Sequence, residues 1–296
     1  MIASTGKAAL GRTAKMERQV GRSRLTRRAW AVCRSIALVV IFIWLVGPSA
    51  IALITSLEPT ADLVSNHPIW TFAPQFGNFT QLFAQGGLLH SFLNSALSSG
   101  LSAIVALVIG VPAAYALSRA RVRGYWAIVA ALLSARALPA VGIAIPLFVV
   151  FTHLHLIDTV WALVIAYLPF NVALVVWLMR EYLESVPREL DEAAQVDGCG
   201  RVQTLVFVVL PVTLPALAST TIFAFLYGWN NFFYPLVLTN HNATTVPVAL
   251  TQFIGEYTVN WGEIMAGVVV LSVPMIALAY AVKRYMVGGL SQGAIK

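Results

Sequence analysis

Side chains able to do chemistry are sparse in this sequence: 19 Lys and Arg, 12 Asp and Glu, five His and two Cys among 296 residues. His153, His155 and Asp158 form a short polar run. Two His at i, i+2 could share a metal only from a strand-like loop, and no third ligand is near, so the run reads as a solvated loop. His67, His90 and His241 are isolated. Cys33 and Cys199 have neither CxxC spacing nor a nearby His pair, which argues against a metal or a disulfide. No Ser/His/Asp set or Cys/His pair has a spacing that argues for catalysis. A GxxxxGK[ST] phosphate loop is also missing. One stretch is different. Residues 180–211 hold Glu181, Glu184, Glu189, Asp191, Glu192 and Asp197, half of all the acidic residues.

The elements that must position this stretch follow from composition. Apolar residues make up 59% and charged residues 10% of the chain. Globular domains average roughly 45–50% and roughly 25%. So few charges cannot cover a soluble surface, and a disordered chain would lack the apolar residues. The fold class is therefore all-α, a polytopic membrane protein. A hydrocarbon core about 30 Å thick takes about 20 apolar helical residues. Six segments meet that length: 36–57, 92–117, 125–151, 160–179, 212–238 and 264–282. A separate basic leader, 1–29, precedes them. Prolines lie in the third to sixth spans and are tolerable where neighbouring helices satisfy the freed carbonyls.

Charge placement gives the orientation. Nine Lys and Arg precede Ser35, and three each fall in loop 118–124, in loop 180–211 and at the C-terminal end. Loops 58–91, 152–159 and 239–263 have none. This asymmetry puts both termini in the cytoplasm. The net charge of +7 is then topological, with anionic lipid as a diffuse partner and no nucleic acid. The remaining cation, Arg136, falls about 16 Å into the third span. A charge at that depth is a functional candidate, with a contact to carbonyls freed by Pro139 as the bland alternative.

Loop 180–211 is far longer than a hairpin between spans needs. Pro187 suits the first position of a helix, and the acidic residues that follow suit its N-terminal end. Val186, Leu190, Ala193 and Ala194 make one apolar stripe. Gly198 is a helix stop that predicts a positive φ. A second helical stretch runs from Arg201 to Val209 and ends at Leu210-Pro211. An interfacial helix lying on lipid would carry Lys and Arg, whereas this one is acidic. A protein partner fits better.

The same residues carry a resemblance. Glu192-Ala193-Ala194, three residues, Gly198, nine residues, Val208, then Leu210-Pro211 resembles the signature loop of permease subunits of ABC importers, with Val208 where Ile is usual. Ala114-Tyr115-Ala116-Leu117-Ser118-Arg119, Pro187 to Asp191, Gly228 to Asn231, Val246-Pro247-Val248 and the ending Gly288 to Lys296 are similar to carbohydrate permeases of the maltose-transporter G-subunit type. The resemblance covers residues 30–296 and implies a type I ABC importer permease fold in a bacterial plasma membrane. It also implies three partners: a second permease of the F type, a dimer of ABC ATPases, and an extracytoplasmic solute-binding protein that delivers sugar. ATP and Mg would be held by the ATPase, and this chain would bind no cofactor and catalyse nothing. Glu192, Ala193, Ala194, Asp197, Gly198, Leu210 and Pro211 become the ATPase-coupling residues. Asn230, Asn231 and Tyr234 offer the amides and aromatic face of a sugar path, against interhelical hydrogen bonding. Together with Arg136 they are the substrate-path candidates. A permease for a non-sugar solute would keep the loop motif. A stand-alone secondary transporter would need paired ionisable residues in its spans, and only Arg136 is there.

Overall fold

The computed structural model describes residues 3–59, 73–84, 87–120, 139–255 and 259–293, with 127, 130, 131 and 134 between them, and the backbone alone of 3–29 and 282–293. Arg136 lies outside the described residues. The described chain is helical apart from turns and one antiparallel bridge between Ile254 and Val259. It divides into two bodies, residues 1–54 and 55–296.

The first body belongs to helix α1, Ala3–Leu57, in which the basic leader and the first apolar segment are one continuous helix. Its apolar part is Trp30–Leu57.

The second body contains α2 (Gly77–Ala84), α3 (Leu88–Arg119), α4 (Ala140–His153), α5 (Val160–Ser185) and α6 (Glu189–Val196). These are followed by α7 (Arg201–Val212), α8 (Leu214–Trp229), α9 (Phe233–Leu238), α10 (Val246–Ala249) and α11 (Trp261–Gly293). Among the described residues, four helices are long and apolar enough to cross a membrane: Trp30–Leu57, α3, α5 and the 261–281 part of α11. The other two expected spans look different. Within 125–151 the described continuous helix is α4, only 14 residues long. The segment 212–238 is interrupted between Trp229 and Phe233. Its helix α8 instead joins α7 at a bend of 88°.

Small and polar residues let the helices approach. Lipid is as apolar as Leu, so helix association inside a membrane rests on close packing and interhelical hydrogen bonds rather than on apolar burial. α3 accordingly buries Ser91, Ser95, Ser98, Ser99, Ser102, Ala103, Ala106, Gly110 and Ala114 on one side, while Leu93, Leu97, Ile104 and Val108 are exposed. A Cβ on Gly110 would come within 2.7 Å of the Val175 side chain on α5. One on Gly228 of α8 would come within 2.9 Å of Ser99 Oγ. The Asn171 amide of α5 donates to Ser102 Oγ at 2.9 Å. α3, α5, α7 and α8 thereby share one core, built on Ala106, Tyr115, Val175, Met179, Leu205, Val209 and Ala224. α3 begins before the expected 92 because the turn carrying Leu88, Ser91 and Asn94 is buried against protein, which an apolar-run reading does not detect.

Candidate functional site

The acidic loop forms a short helix, a turn and a second helix, beyond the C-terminal end of α5. Glu189, Asp191 and Glu192 sit in the first turn of α6, where the helix dipole favours acid. Pro187 lies two residues before the helix rather than at its first position. Gly198 ends it with φ 89°, the left-handed conformation expected of that position. The Gly198 N–H donates to Gln195 O at 3.1 Å and the Cys199 N–H to Ala194 O at 2.9 Å, which satisfies the last carbonyls of the helix. The chain restarts at once. Gly200 N–H donates to Gln203 Oε1 at 2.8 Å, and α7 follows with a π-turn over Thr204–Val209. The second stretch therefore runs to Val212, three residues beyond the expected end. Leu210 is half-buried there and Pro211 exposed.

The expected apolar stripe divides. Ala194 and Val186 are buried, Leu190 is half-buried, and Ala193 is exposed. Successive helical residues point about 100° apart, so Ala193 and Ala194 cannot serve one face equally. The inner face of α6 packs on its own chain. Its outer face presents Glu192, Ala193, Gln195 and Val196, with Asp197 beside them.

What holds α6 from behind is Asp191, which was not among the expected site residues. Its carboxylate pairs with Arg119 Nη2 at 2.9 Å and accepts from the Tyr115 hydroxyl. Arg119 also donates to Leu183 O at 3.0 Å and Val186 O at 3.3 Å, where α5 runs out of internal donors. Arg188 returns the tie by donating to Ser118 O at 3.2 Å. The end of α3, the end of α5 and the start of α6 thus meet at one ion pair. Beside this pair, between the end of α3, α6 and the start of α7, lies a cleft of about 540 Å³, lined by Tyr115, Arg119, Arg188, Asp191, Glu192 and Arg201 among others. The available signal was Tyr115 and Arg119 one helical turn apart at the end of a span. Counting Arg119 only as a topological charge hid it.

This geometry lies inside a matched stretch of sequence. Residues 106–292 match the family model described as the binding-protein-dependent transport system inner membrane component. The chain belongs to that family. It is a membrane-spanning ABC permease subunit. The permease is 34% identical over 243 residues to the probable ABC transporter permease protein y4oR of Sinorhizobium fredii, covering 82% of this chain and 87% of that one. It is 34% identical over 205 residues to the trehalose/maltose transport system permease protein MalG of Thermococcus litoralis, covering 69% and 74%. It is 32% identical over 252 residues to the sulfoquinovosyl glycerol transport system permease protein SmoH of Agrobacterium fabrum, covering 84% and 88%. Its fold matches a chain in the crystal structure of a bacterial ABC transporter that imports the acidic polysaccharide alginate, with a TM-score of 0.73 at 23% identity, covering 87% and 96%.

The remaining candidates of the permease are not gathered at the loop. Asn230 and Asn231 sit at the break between α8 and α9, where their side chains serve the backbone. Asn230 Nδ2 donates to Leu226 O at 3.0 Å, and Asn231 Oδ1 accepts from the Tyr234 N–H at 3.1 Å. Tyr234 is buried, with its ring 6.3 Å from that of Tyr167. Among the described residues no three His, Cys, Asp or Glu could hold a metal.

Asp158, expected in a solvated loop, is instead the most engaged carboxylate at the other end of α5. Oδ1 accepts from the N–H groups of Asn240, His241, Asn242 and Ala243 at 2.9–3.2 Å. Oδ2 accepts from Asn242 Nδ2 at 3.0 Å. Burial pushes this carboxyl upward, but the four converging backbone donors outweigh it and hold the group below the usual carboxylate range. Donors that are mostly backbone leave little side-chain signal in a sequence, and only Asn242 adds a side chain to them.

Proposed function

We propose that the permease is the G-type subunit of an ATP-driven sugar importer, with loop 180–211 as its ATPase-coupling element. The observation that carries this reading is the division of α6 and α7 into a fixed inner face and a free outer one. Val196, Val202 and Phe207 are 88%, 75% and 71% exposed, beside Glu192 and Ala193. Apolar side chains this exposed on a structured loop call for a protein surface to cover them. The ion pair behind α6 means that a push on the outer face reaches α3 and α5 directly. Glu192 can form a charge-assisted hydrogen bond across such an interface, worth about 1.5–3 kcal/mol. Asp197, Gly198, Leu210 and Pro211 set the turn and the elbow that aim it.

Sugar as the solute is supported by the trehalose/maltose and sulfoquinovosyl glycerol systems of the relatives. In this reading a second, F-type permease completes the path, and two ATPase subunits hold ATP and Mg. A solute-binding protein delivers from outside, as in the alginate transporter crystallised with its periplasmic protein. The lack of Lys and Arg in loops 152–159 and 239–263 supports their export and cytoplasmic termini. Asn230, Asn231 and Tyr234 are the path candidates nearest the exported side.

Glu192→Lys and Gly198→Val in the full complex test the reading. Both should insert normally, lose co-purifying ATPase and lose sugar-stimulated hydrolysis, with the affinity of the binding protein for sugar unchanged. Normal ATPase association and normal stimulation in both variants would remove the coupling role.

A further inference from the structure

We propose that Asp158 is a positioning residue that fixes the exported turn 239–245 in the geometry that receives the loaded solute-binding protein. The proposal rests on the importer reading above.

The turn is held from two directions. On one side the chain leaves α4 through His155 and reaches Asp158, at φ 53° and 61°, both in the left-handed region. That backbone lets Asp158 donate its own N–H to Leu238 O at 2.9 Å while its carboxylate takes the four N–H groups of 240–243. On the other side, α3 supplies His90, whose Nε2 lies 2.7 Å from Asn242 O. It also supplies Asn94, whose amide donates to Asn242 O at 2.9 Å and Thr244 O at 3.1 Å. Ser95 Oγ accepts from the Val246 N–H at 2.9 Å. Ala243, Thr244 and Thr245 are buried by this, and Asn240, His241 and Asn242 are left exposed as a tip.

Successive N–H groups aimed at one point are a receptor for an anion. An amide of the same shape would turn a donor toward donors. The charge is therefore needed, not the volume. A turn fixed before the encounter loses less freedom on docking, so the gain lies in affinity rather than in the rate of later steps. Releasing even one residue costs about tenfold in affinity.

The test uses the assembled complex with Asp158→Ala and the isosteric Asp158→Asn. Hydrogen exchange should find the amides of 240–243 protected in the parent and fast in both variants. The concentration of loaded binding protein giving half-maximal ATPase stimulation should rise about tenfold, with the maximal stimulated rate retained. A side chain needed only for its bulk would leave Asp158→Asn like the parent. Unchanged half-saturation, or a fall in maximal rate alone, overturns the proposal while leaving the importer reading intact. A parent complex that no loaded binding protein stimulates overturns the importer reading, and the positioning role with it.

Discussion

Asp191 and Asp158 each pin a loop at one end of α5, but side chains answer the first and mainly backbone answers the second. Asp191 is 6% exposed and meets a guanidinium and a phenol contributed by α3. Asp158 is half-buried and meets four consecutive peptide N–H groups. The difference decides what a substitution can repair. A pair of side chains has two genetic addresses, so a loss at one can be met by a change at the other. A carboxylate held mainly by backbone donors has in effect one address, because a change of side chain at Asn242 alters only one of its bonds.

Five measurements would break or sharpen this contrast. The largest effect belongs to Asp191→Ala, which strands the Arg119 charge among buried groups. It should cost about 3–5 kcal/mol, read as a lower melting temperature of the complex. Exchanging the charges, Asp191→Arg with Arg119→Asp, should restore part of that loss. A swap that restores nothing would mean the site depends on the full set of bonds rather than on the pair. Tyr115→Phe keeps the ion pair and removes one hydrogen bond to a charged acceptor. About 1.5–3 kcal/mol should go by the same melt, with Asp191→Ala adding less on top of it than alone. Gly198→Ala tests the turn after α6. Its φ of 89° should cost about 1–2 kcal/mol, seen as faster protease nicking near 198, with Gly198→Asn milder.

The smallest effect is one of pH at Asp158. Its carboxyl is depressed by the backbone donors, so its contribution is complete above the ordinary carboxylate pKa and is lost as pH falls through the lower, folded value. A spin label at Asn240→Cys should stay immobile from neutral pH down to about pH 4 and loosen below it. With Asp158→Asn the label should be mobile throughout.

The sequence carried the helical membrane class, the approximate places of four of the spans and the helix–glycine–helix of loop 180–211, because each leaves a local trace. A long apolar run, a missing charge or a glycine after an amphipathic turn can be read without knowing what lies opposite. The tie between Arg119 and Asp191 joins residues on different elements, and charge counting had already given Arg119 a use. Asp158 was harder still, since all its partners but the Asn242 side chain are backbone atoms. The interruption between Trp229 and Phe233 was hidden because Asn230 and Asn231 were weighed as path lining or interhelical bonding, and their bonds to the backbone at the ends of two helices leave no trace in the sequence.

The elbow at Thr213 has a mechanical consequence. α7 and α8 meet at 88°, with 12 residues in one arm and 16 in the other. At 1.5 Å per residue the arms are about 18 Å and about 24 Å long. Two stiff arms at a right angle make a bell crank, which turns a thrust in one direction into a stroke perpendicular to it. A rotation of about 10° about Thr213 carries the tip of the shorter arm about 3 Å and the tip of the longer about 4 Å, from the same helix rise. A small lift applied at Arg201 would thus become a sideways sweep at Trp229, slightly enlarged, with no helix along the way having to unwind.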